Sequence, residues 1–572
     1  VRPPIRIANV SGFYGDRLAA AREMLDGPDP IDVLTGDYLA ELTMLILWKA
    51  RRKDPSAGYA TTFVRQMEEV MGACLDRGIR VVTNAGGLNP HGLAEKLHEV
   101  AGRLGLSPRI AVVEGDDLLG RLDGHDLTHL DTGQKLAEAG VEPVTANAYL
   151  GGWGIAAGLD AGADIVVTPR VTDAALVVGP AAWWHGWARD DWDRLAGAVV
   201  AGHVIECGPQ ATGGNYPFLD ELPDARYPGF PIAEVADDGS TVITKQPGTG
   251  GLVSVGTVTA QLLYEIAEPA YANPDVVARF DTIELTQEAP DRVRIAGVRG
   301  EPPSGLVKVA LNHVGGWRNT MTMGLTGLDV EAKAERALTM LGDLLGGWDQ
   351  FASCTTALVR TDEAAISHLR ITVKDPDPDK VGRRFSNSVM ELLLASFGGA
   401  FTTTPPSAPS EYGVYWPALV PSSIVEHAIV LPDGARVVVP HTEPVDRPSI
   451  PSPAVPTWTE DGPTRRLPLG AVCGARSGDK GGNANIGVWA TSDRAYAWLA
   501  ATLTPDLLRS LVPEADDLEV RRFELPNLRA LNFVVVGILG EGVASSVRAD
   551  PQAKGLGELV RSRLVDIPES LL

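Results

Sequence analysis

Between positions 475 and 487 the chain sets a guanidinium (Arg476), a hydroxyl (Ser477), a carboxylate (Asp479), an ammonium (Lys480) and two carboxamides (Asn483, Asn485) among four glycines. A carboxylate beside an ammonium supplies a base and an acid, carboxamides orient a carbonyl, and glycines let a backbone approach a ligand closely. Apolar residues at 467–472 and 486–489 read as flanking strands, so the motif is expected to be a polar loop between them. A glycine-rich turn with solvated charges is the competing reading.

Further polar groups are placed by the pattern of the N-terminal part. Short apolar runs at 5–10, 31–34, 79–83, 110–113 and 164–168 alternate with helical periodicity at 17–25, 39–52, 62–76 and 91–104. That alternation predicts an α/β fold with a mainly parallel sheet covered by helices on both faces. Asn9, Asp16, Asp37, Asn84, Asp116 and Asp117 follow the runs, where open parallel sheets bind ligands. Each can equally cap the next helix. Arg170, after the run at 164–168, is placed to bind a carboxylate or phosphate, or to pair with Asp173.

Two glycine-rich stretches follow, one with Thr212, Gly213 and Gly214, the other with Lys245, Gly248, Thr249 and Gly250. Consecutive backbone N–H groups there can form an anion nest, and tight turns are the alternative. Neither matches GxxxxGK[ST]. Strands near 293–298 and 306–311 and helices near 330–345 and 387–395 predict an α+β middle region, while 402–417 shows no periodicity. Residues 436–467 hold seven prolines and read as a linker. The remaining pattern, with helices at 493–502, 505–511 and 556–564, suits a ferredoxin-like α+β sandwich. The expected division is 1–200 (parallel α/β), 201–435 (α+β), 436–466 (linker) and 467–572 (ferredoxin-like).

Several groupings resemble chemistry without its context. His125 and His129 have helical i, i+4 spacing but lack the glutamate of HExxH. His203, Glu206 and Cys207 flank apolar Val204 and Ile205, which predicts a core strand with alternating faces. Ser477 and Lys480 match SxxK, but flanking glycines argue against its helix. No GxSxG or GxGxxG occurs.

Across the 572 residues, 50 Lys+Arg against 73 Asp+Glu leave a net charge of −23, which argues against nucleic acid or an anionic membrane as partner. Four scattered cysteines suggest neither a zinc site nor a disulfide framework. With no signal-like opening and no long apolar run, a soluble, cytoplasmic protein is expected. Symmetric homo-oligomers are the base rate for large α/β enzymes, and no cofactor is called for.

The segments SGFYGDR, LTGDYLAELTM, TNAGGLNP and EGDD, then TANAYLG, GADIVVTPRVTDAAL, ECGPQATGGN and KQPGTGG, and finally ARSGDKGGNANIG, together resemble the acyclic terpene utilisation protein A family (AtuA-like). The likeness spans nearly the whole chain, including a C-terminal part similar to the family's ferredoxin-fold domain. Pro169 stands where the family often has glycine before the arginine of TxRVTD, which removes a backbone donor there. The resemblance implies a role in breakdown of acyclic terpenes such as citronellol and geraniol, through branched acyl-CoA intermediates.

The expected function is therefore an enzyme acting on a branched acyl-CoA or related carboxylate, by hydration, dehydration or carbon–carbon cleavage. CoA would enter only as part of the substrate. Asp479 or Asp116 is the expected base and Lys480 the acid or electrostatic stabiliser. Asn483 and Asn485 would orient a carbonyl, with Arg476, Ser477 and Asn84 lining the site; Arg170, Lys245 and the loops at 212–214 and 248–250 would hold an anionic tail. The site is expected where the C-terminal domain meets the sheet, so truncation before Pro451 should leave a folded body that binds ligand poorly. A non-catalytic partner of an acyl-CoA carboxylase, or a metal-dependent hydrolase using Asp116, Asp117 and Asp479, are the alternatives.

Overall fold

Parallel strands form the centre of an eleven-stranded sheet: β1 (Ile5–Asn9), β2 (Val33–Gly36), β3 (Arg80–Thr83), β4 (Ile110–Glu114) and, after β5 (Pro143–Ala148) of another sheet, β6 (Ile165–Val167). The protein is described by a computed structural model over residues 2–122, 124–125, 127–360, 366–460 and 462–572. The central order is β1-β2-β3-β6-β4, with every neighbouring pair parallel. Side chains alternate between two cores: Ile5, Ile7 and Val33 face one, Ala8, Leu34 and Val81 the other. Burial on both faces is why these runs are continuously apolar. Helices Ala20–Asp26, Thr61–Arg77 and Pro90–Leu104 connect the strands, while Ala175–His185 and Trp192–Ile205 lie against the opposite face.

The sheet does not stop at residue 200. β7 (Pro231–Val235) pairs antiparallel with β1, β8 (Thr241–Lys245) with β7, and Arg292–Ala296 and Glu284–Ala289 extend that flank. Ala428–Val430 and Arg436–Val438 close the other edge beside β4, again antiparallel. By its contacts the chain forms two compact units, so the expected boundaries at 200 and 435 do not coincide with those of the structure. One unit comprises the chain through Asn312 with Tyr415–Val543 and Gln552–Leu572. The other is His313–Val414 with Ala544–Pro551. In the latter, Ile366–Asp375 pairs with Ser353–Val359 and with positions 317–326, and helices Val330–Leu345 and Arg383–Glu391 cover one face through Leu341, Ile371 and Phe385.

Within the first unit, positions 439–460 carry no regular secondary structure, as the prolines dictate, but they are tied down: Arg279 donates to the Ile450 carbonyl and Glu301 accepts from the Ile450 N–H. The C-terminal module is a four-stranded antiparallel sheet in the order Cys473–Lys480, Asn483–Ala490, Ala530–Val535, Val520–Leu525. Helices Asp493–Thr502, Pro505–Leu511 and Leu556–Ser562 pack on one face around Ile486, Val488 and Phe533. Its other face lies on helix Val255–Leu262 and the residues after it.

The 475–487 motif is consequently not a loop between strands. Residues 473–480 are themselves a strand, paired with Asn483–Ala490 across a turn in which Gly481 has a φ of 62°. Two of the glycines are explained by packing: a side-chain carbon at Gly478 would collide with the Tyr264 ring, and one at Gly487 with Leu263. They let the sheet approach that helix end directly. Gly478→Ala is expected to cost about 1–3 kcal/mol, measured as a shift of the denaturant midpoint at unchanged m-value.

Trp489, Leu525, Leu528 and Ala530 of the C-terminal module belong to the same apolar cluster as β1 and β2. A truncation before Pro451 would strip that cluster, so in place of the folded body expected from the sequence we predict an insoluble product, read by fractionation and circular dichroism.

Candidate functional site

The carboxyl ends of the parallel strands collect the polar residues that the pattern placed there, in several different roles. Asn9 donates its amide to the carbonyls of Ile205 (2.7 Å) and Glu206 (2.9 Å), capping the end of helix Trp192–Ile205. Asn84 donates to Asp37 (2.7 Å) and accepts from the Tyr38 N–H (2.8 Å), so it orients Asp37 from within the core. Burial and the neighbouring Asp173 push the Asp37 carboxyl well above its ordinary range. Arg170 is buried, donates to the Leu39 carbonyl (2.6 Å) and Asp173 (3.0 Å), and lies 4.1 Å from the centre of the Tyr149 ring. Lys308 approaches the same ring at 5.0 Å and lies 3.4 Å from Glu41.

Asp116 accepts from Asn147 (2.8 Å) and from the Arg170 N–H (3.2 Å), tying together three strand ends, and burial raises its pKa to about 7. Asp117 is exposed and caps a turn through the Leu119 N–H (3.0 Å), and Asp16 caps the turn at Gly12 (2.8 Å). The raised Asp116 pKa has a sign that can be checked. The folded state holds a proton that the unfolded chain releases near pH 4, so stability falls as pH rises from about 4 to 7 and levels off above. Asp116→Asn is expected to differ little from wild type at pH 4 and to melt progressively higher than it toward pH 8.

The second half of the site comes from elsewhere in the chain. Positions 203–207 are not a core strand: His203 lies on helix Trp192–Ile205 and Glu206 at its C-cap, which puts the two on one side, one turn apart. His203 Nε2 meets the Gln261 carbonyl at 3.1 Å; a carbonyl only accepts, so Nε2 carries the proton and Nδ1 is an acceptor. Glu206 Oε1 faces Nδ1 at 3.3 Å, and burial holds His203 down to about 4 while pushing Glu206 well above the carboxylate range. A neutral imidazole thus faces a protonated carboxyl, whose second oxygen is buried with no hydrogen-bond partner.

Opposite them lies Glu265, which has a φ of 56°, a left-handed conformation that glutamate rarely adopts. The C-terminal sheet holds it there. Asn485 accepts from the Glu265 N–H (2.9 Å) and donates to the Leu263 carbonyl (2.7 Å) and to Asn532 (2.9 Å). Lys480 Nζ donates to the Glu265 carbonyl (2.8 Å), and Asn532 to those of Ile266 (3.0 Å) and Ala267 (2.6 Å). Strain fixed by so many bonds marks a functional position more often than a structural one.

Asp479 and Lys480 are adjacent in a strand and therefore leave opposite faces of the hairpin. Both nevertheless feel Glu265 and Glu41. Burial first, then those two carboxylates, keep Asp479 well above its ordinary range, and its Oδ1 is buried without a partner. Burial and the charge of Lys308 lower Lys480. Burial likewise raises Glu265 and the phenols of Tyr264 and Tyr271. The result is a set of carboxyls shifted up near an amine shifted down, an arrangement suited to proton transfer.

Other expected members are occupied elsewhere. Ser477 accepts from the Gly557 N–H (2.8 Å) and donates to the Lys554 carbonyl (3.1 Å), anchoring helix Leu556–Ser562 on the face away from Lys480. Asn483 joins Asp131 (2.8 Å) to the Gly537 N–H (2.8 Å) and so shapes the hairpin tip. Arg476 stacks 4.4 Å from the Tyr264 ring centre and donates to Gln210. The glycine-rich stretches use their own donors. Thr212 bonds the Gly229 carbonyl (2.6 Å), the Gly214 N–H the Pro209 carbonyl (2.9 Å), and the Leu252 N–H the Thr212 carbonyl (2.9 Å). Lys245 is held by Asp291 (3.1 Å) and the Thr249 carbonyl (3.1 Å), Thr249 bonds Gln246, and the carbonyls of Gly248 and Gly250 accept from Arg226 and Gly229. Both stretches are interlocked turns.

His129 accepts from the N–H groups of Asp131 (3.1 Å) and Thr132 (3.3 Å), which closes a turn; Asp126, between it and His125, lies outside the described residues. Among the described residues no group of three or more His, Cys, Asp or Glu is arranged to hold a metal ion. Among them, too, no helix is long and apolar enough to cross a membrane.

No curated protein matches the chain. Two family models do: the acyclic terpene utilisation family protein AtuA over residues 5–431 and the AtuA ferredoxin-like domain over 467–566. The first takes in the strand ends with Asp37, Arg170, Glu206 and Glu265, the second the hairpin that clamps Glu265, so both halves of this site lie inside matched regions and the chain belongs to the acyclic terpene utilisation AtuA family.

Proposed function

We propose that the protein is an enzyme performing acid–base chemistry beside a carbonyl group of a branched acyl-CoA or related carboxylate, by adding or removing water or by cleaving a carbon–carbon bond. The observation that supports it is the opposed shift of groups around Glu265: burial pushes the carboxyls of Asp479 and Glu206 well up and, with the charge of Lys308, brings the Lys480 amine down. Either reaction needs an acid and a base together, with a donor to an enolate-like oxygen.

A test is incubation with branched unsaturated, hydroxylated and oxo acids and their CoA thioesters, with mass spectrometry reading gain or loss of water or smaller carbon fragments. Asp479→Asn keeps the volume but removes the acid, and is expected to lower turnover about 100-fold or more with little change in melting temperature. Unchanged masses across the panel, or full activity in Asp479→Asn, would sink the proposal.

A further inference from the structure

Resting on that reading, we propose that Lys480 acts as a nucleophile: its Nζ condenses with an aldehyde or ketone carbonyl of the substrate, so the substrates are oxo compounds and the reaction is carbon–carbon cleavage.

The geometry around Nζ is unusual for a buried lysine. Its hydrogen bond goes to a neutral acceptor, the Glu265 carbonyl at 2.8 Å. Among the described residues no carboxylate oxygen pairs with it within 4.0 Å, whereas buried Lys245 lies 3.1 Å from Asp291. The Tyr271 ring centre is 5.6 Å away, and Tyr271 is itself packed on His203 and Phe280. The charges acting on the amine are Lys308, Glu265, Glu41 and Glu206, and burial together with Lys308 outweighs the three carboxylates. A desolvated amine near a second cation is the environment in which lysine attacks carbonyls, because only the free base carries the lone pair.

The step balances with groups present at the site. The Nζ lone pair adds to the carbonyl carbon, and the carbonyl oxygen takes a proton from the carboxyl of Glu206, which acts on Lys480 and which burial pushes well above the carboxylate range. The resulting carbinolamine loses water, whose second hydrogen comes from the amine. An iminium bearing one N–H remains beside a newly ionised carboxylate. The newly ionised carboxylate then takes the proton of a hydroxyl one carbon beyond the adjacent carbon. That oxygen becomes a new carbonyl as the intervening carbon–carbon bond breaks, and the bond's electron pair passes into the iminium to give an enamine. The carboxyl returns the proton to the enamine carbon, which regenerates the iminium. Hydrolysis of the imine restores the lysine.

The test uses full-length protein at pH 7 with acetaldehyde or acetone and cyanoborohydride, which reduces an iminium to a stable N-alkyl group located by peptide mass spectrometry. Each unit by which an amine's pKa is lowered raises its free-base fraction tenfold. Lys480 is expected to be alkylated faster than Lys96, whose amine is paired with Glu99. Alkylation of Lys96 with none at Lys480 would overturn the proposal. Lys480→Arg keeps a cation and a donor to the Glu265 carbonyl but cannot form an imine. It is expected to melt with wild type and to lose both trapping and turnover; retained turnover would overturn the covalent role while leaving the acid–base enzyme standing. Trapping at Lys480 without turnover of any acid in the panel would support the imine and remove the acyl reading.

Discussion

Lys480→Met is expected to lower turnover by about 1,000-fold or more while leaving the protein folded. Removing a group that moves a proton in the transition state costs about 100- to 10,000-fold, and the loss of a covalent nucleophile lies at or beyond the upper end. Stability should change little because the amine's bond is to a backbone carbonyl, which keeps the neighbouring Asn485 and Asn532 clamps, and because methionine fills the buried stem. The measurement is kcat/KM on whichever substrate the mass screen identifies, with a thermal melt of the same sample. A variant that is inactive only because it is unfolded would show in the melt, and a variant with more than a tenth of wild-type turnover would remove Lys480 from the chemistry.

Asn485→Ala should produce the largest loss of stability among the side chains of this site, about 3–5 kcal/mol. The carboxamide is fully buried and satisfies the Leu263 carbonyl, the Glu265 N–H and the Asn532 side chain at once. Each buried polar group left without a partner costs about 1–3 kcal/mol. Glu265 would also be released from its left-handed conformation, so catalysis is expected to fall further than stability alone explains. Asn485→Asp retains the acceptor for the Glu265 N–H but loses the donor to Leu263, and should be intermediate at neutral pH. Equilibrium unfolding of the three proteins in urea gives the comparison; equal stability of Asn485→Ala and wild type would mean that the clamp contributes nothing.

The outline of the sheet was legible because its cause is local. Runs such as Ile5 to Val10 are apolar on both faces, and the intervening stretches repeat at helical spacing, so strand and helix positions followed within a few residues. The strand ends do bring Asp37, Asn84 and Arg170 together: Asn84 donates to Asp37 and the Arg170 charge acts on it. The antiparallel flanks were not legible: strand–strand pairing such as β7 with β1 is a contact between distant segments, and nothing in either sequence names its partner.

The 475–487 motif shows a different kind of failure. Its glycines and polar groups look like a loop because a strand normally advertises itself by side chains that pack on a core. Here one face packs closely on Leu263 and Tyr264, so glycine and asparagine are what fit; of the residues first read as substrate ligands Asn485 grips Glu265, while Arg476, Ser477 and Asn483 bond elsewhere in the fold. Glu265 itself gave no signal. Its neighbours Leu263, Tyr264 and Ile266 are apolar, and only the coordinates reveal its φ or its distance from the hairpin. His203 and Glu206 were legible in principle: an i, i+3 pair at the end of a run rich in alanine, glycine and valine fits helix as well as strand, and length should have decided for the helix.

The clamp on Glu265 also sets an order of events during synthesis. The residues that grip it, from Lys480 to Asn532, are made more than two hundred positions after it, with a separation of 215 for Lys480. At roughly 5–20 residues per second that interval is on the order of ten to forty seconds. Throughout it the nascent chain carries Asp37, Arg170, Glu206 and Glu265 but neither the amine nor the geometry that aims it. If Lys480 acts as proposed, the growing polypeptide stays inactive until the last hundred or so residues dock, and fragments released early by a stalled ribosome or a protease would lack that lysine.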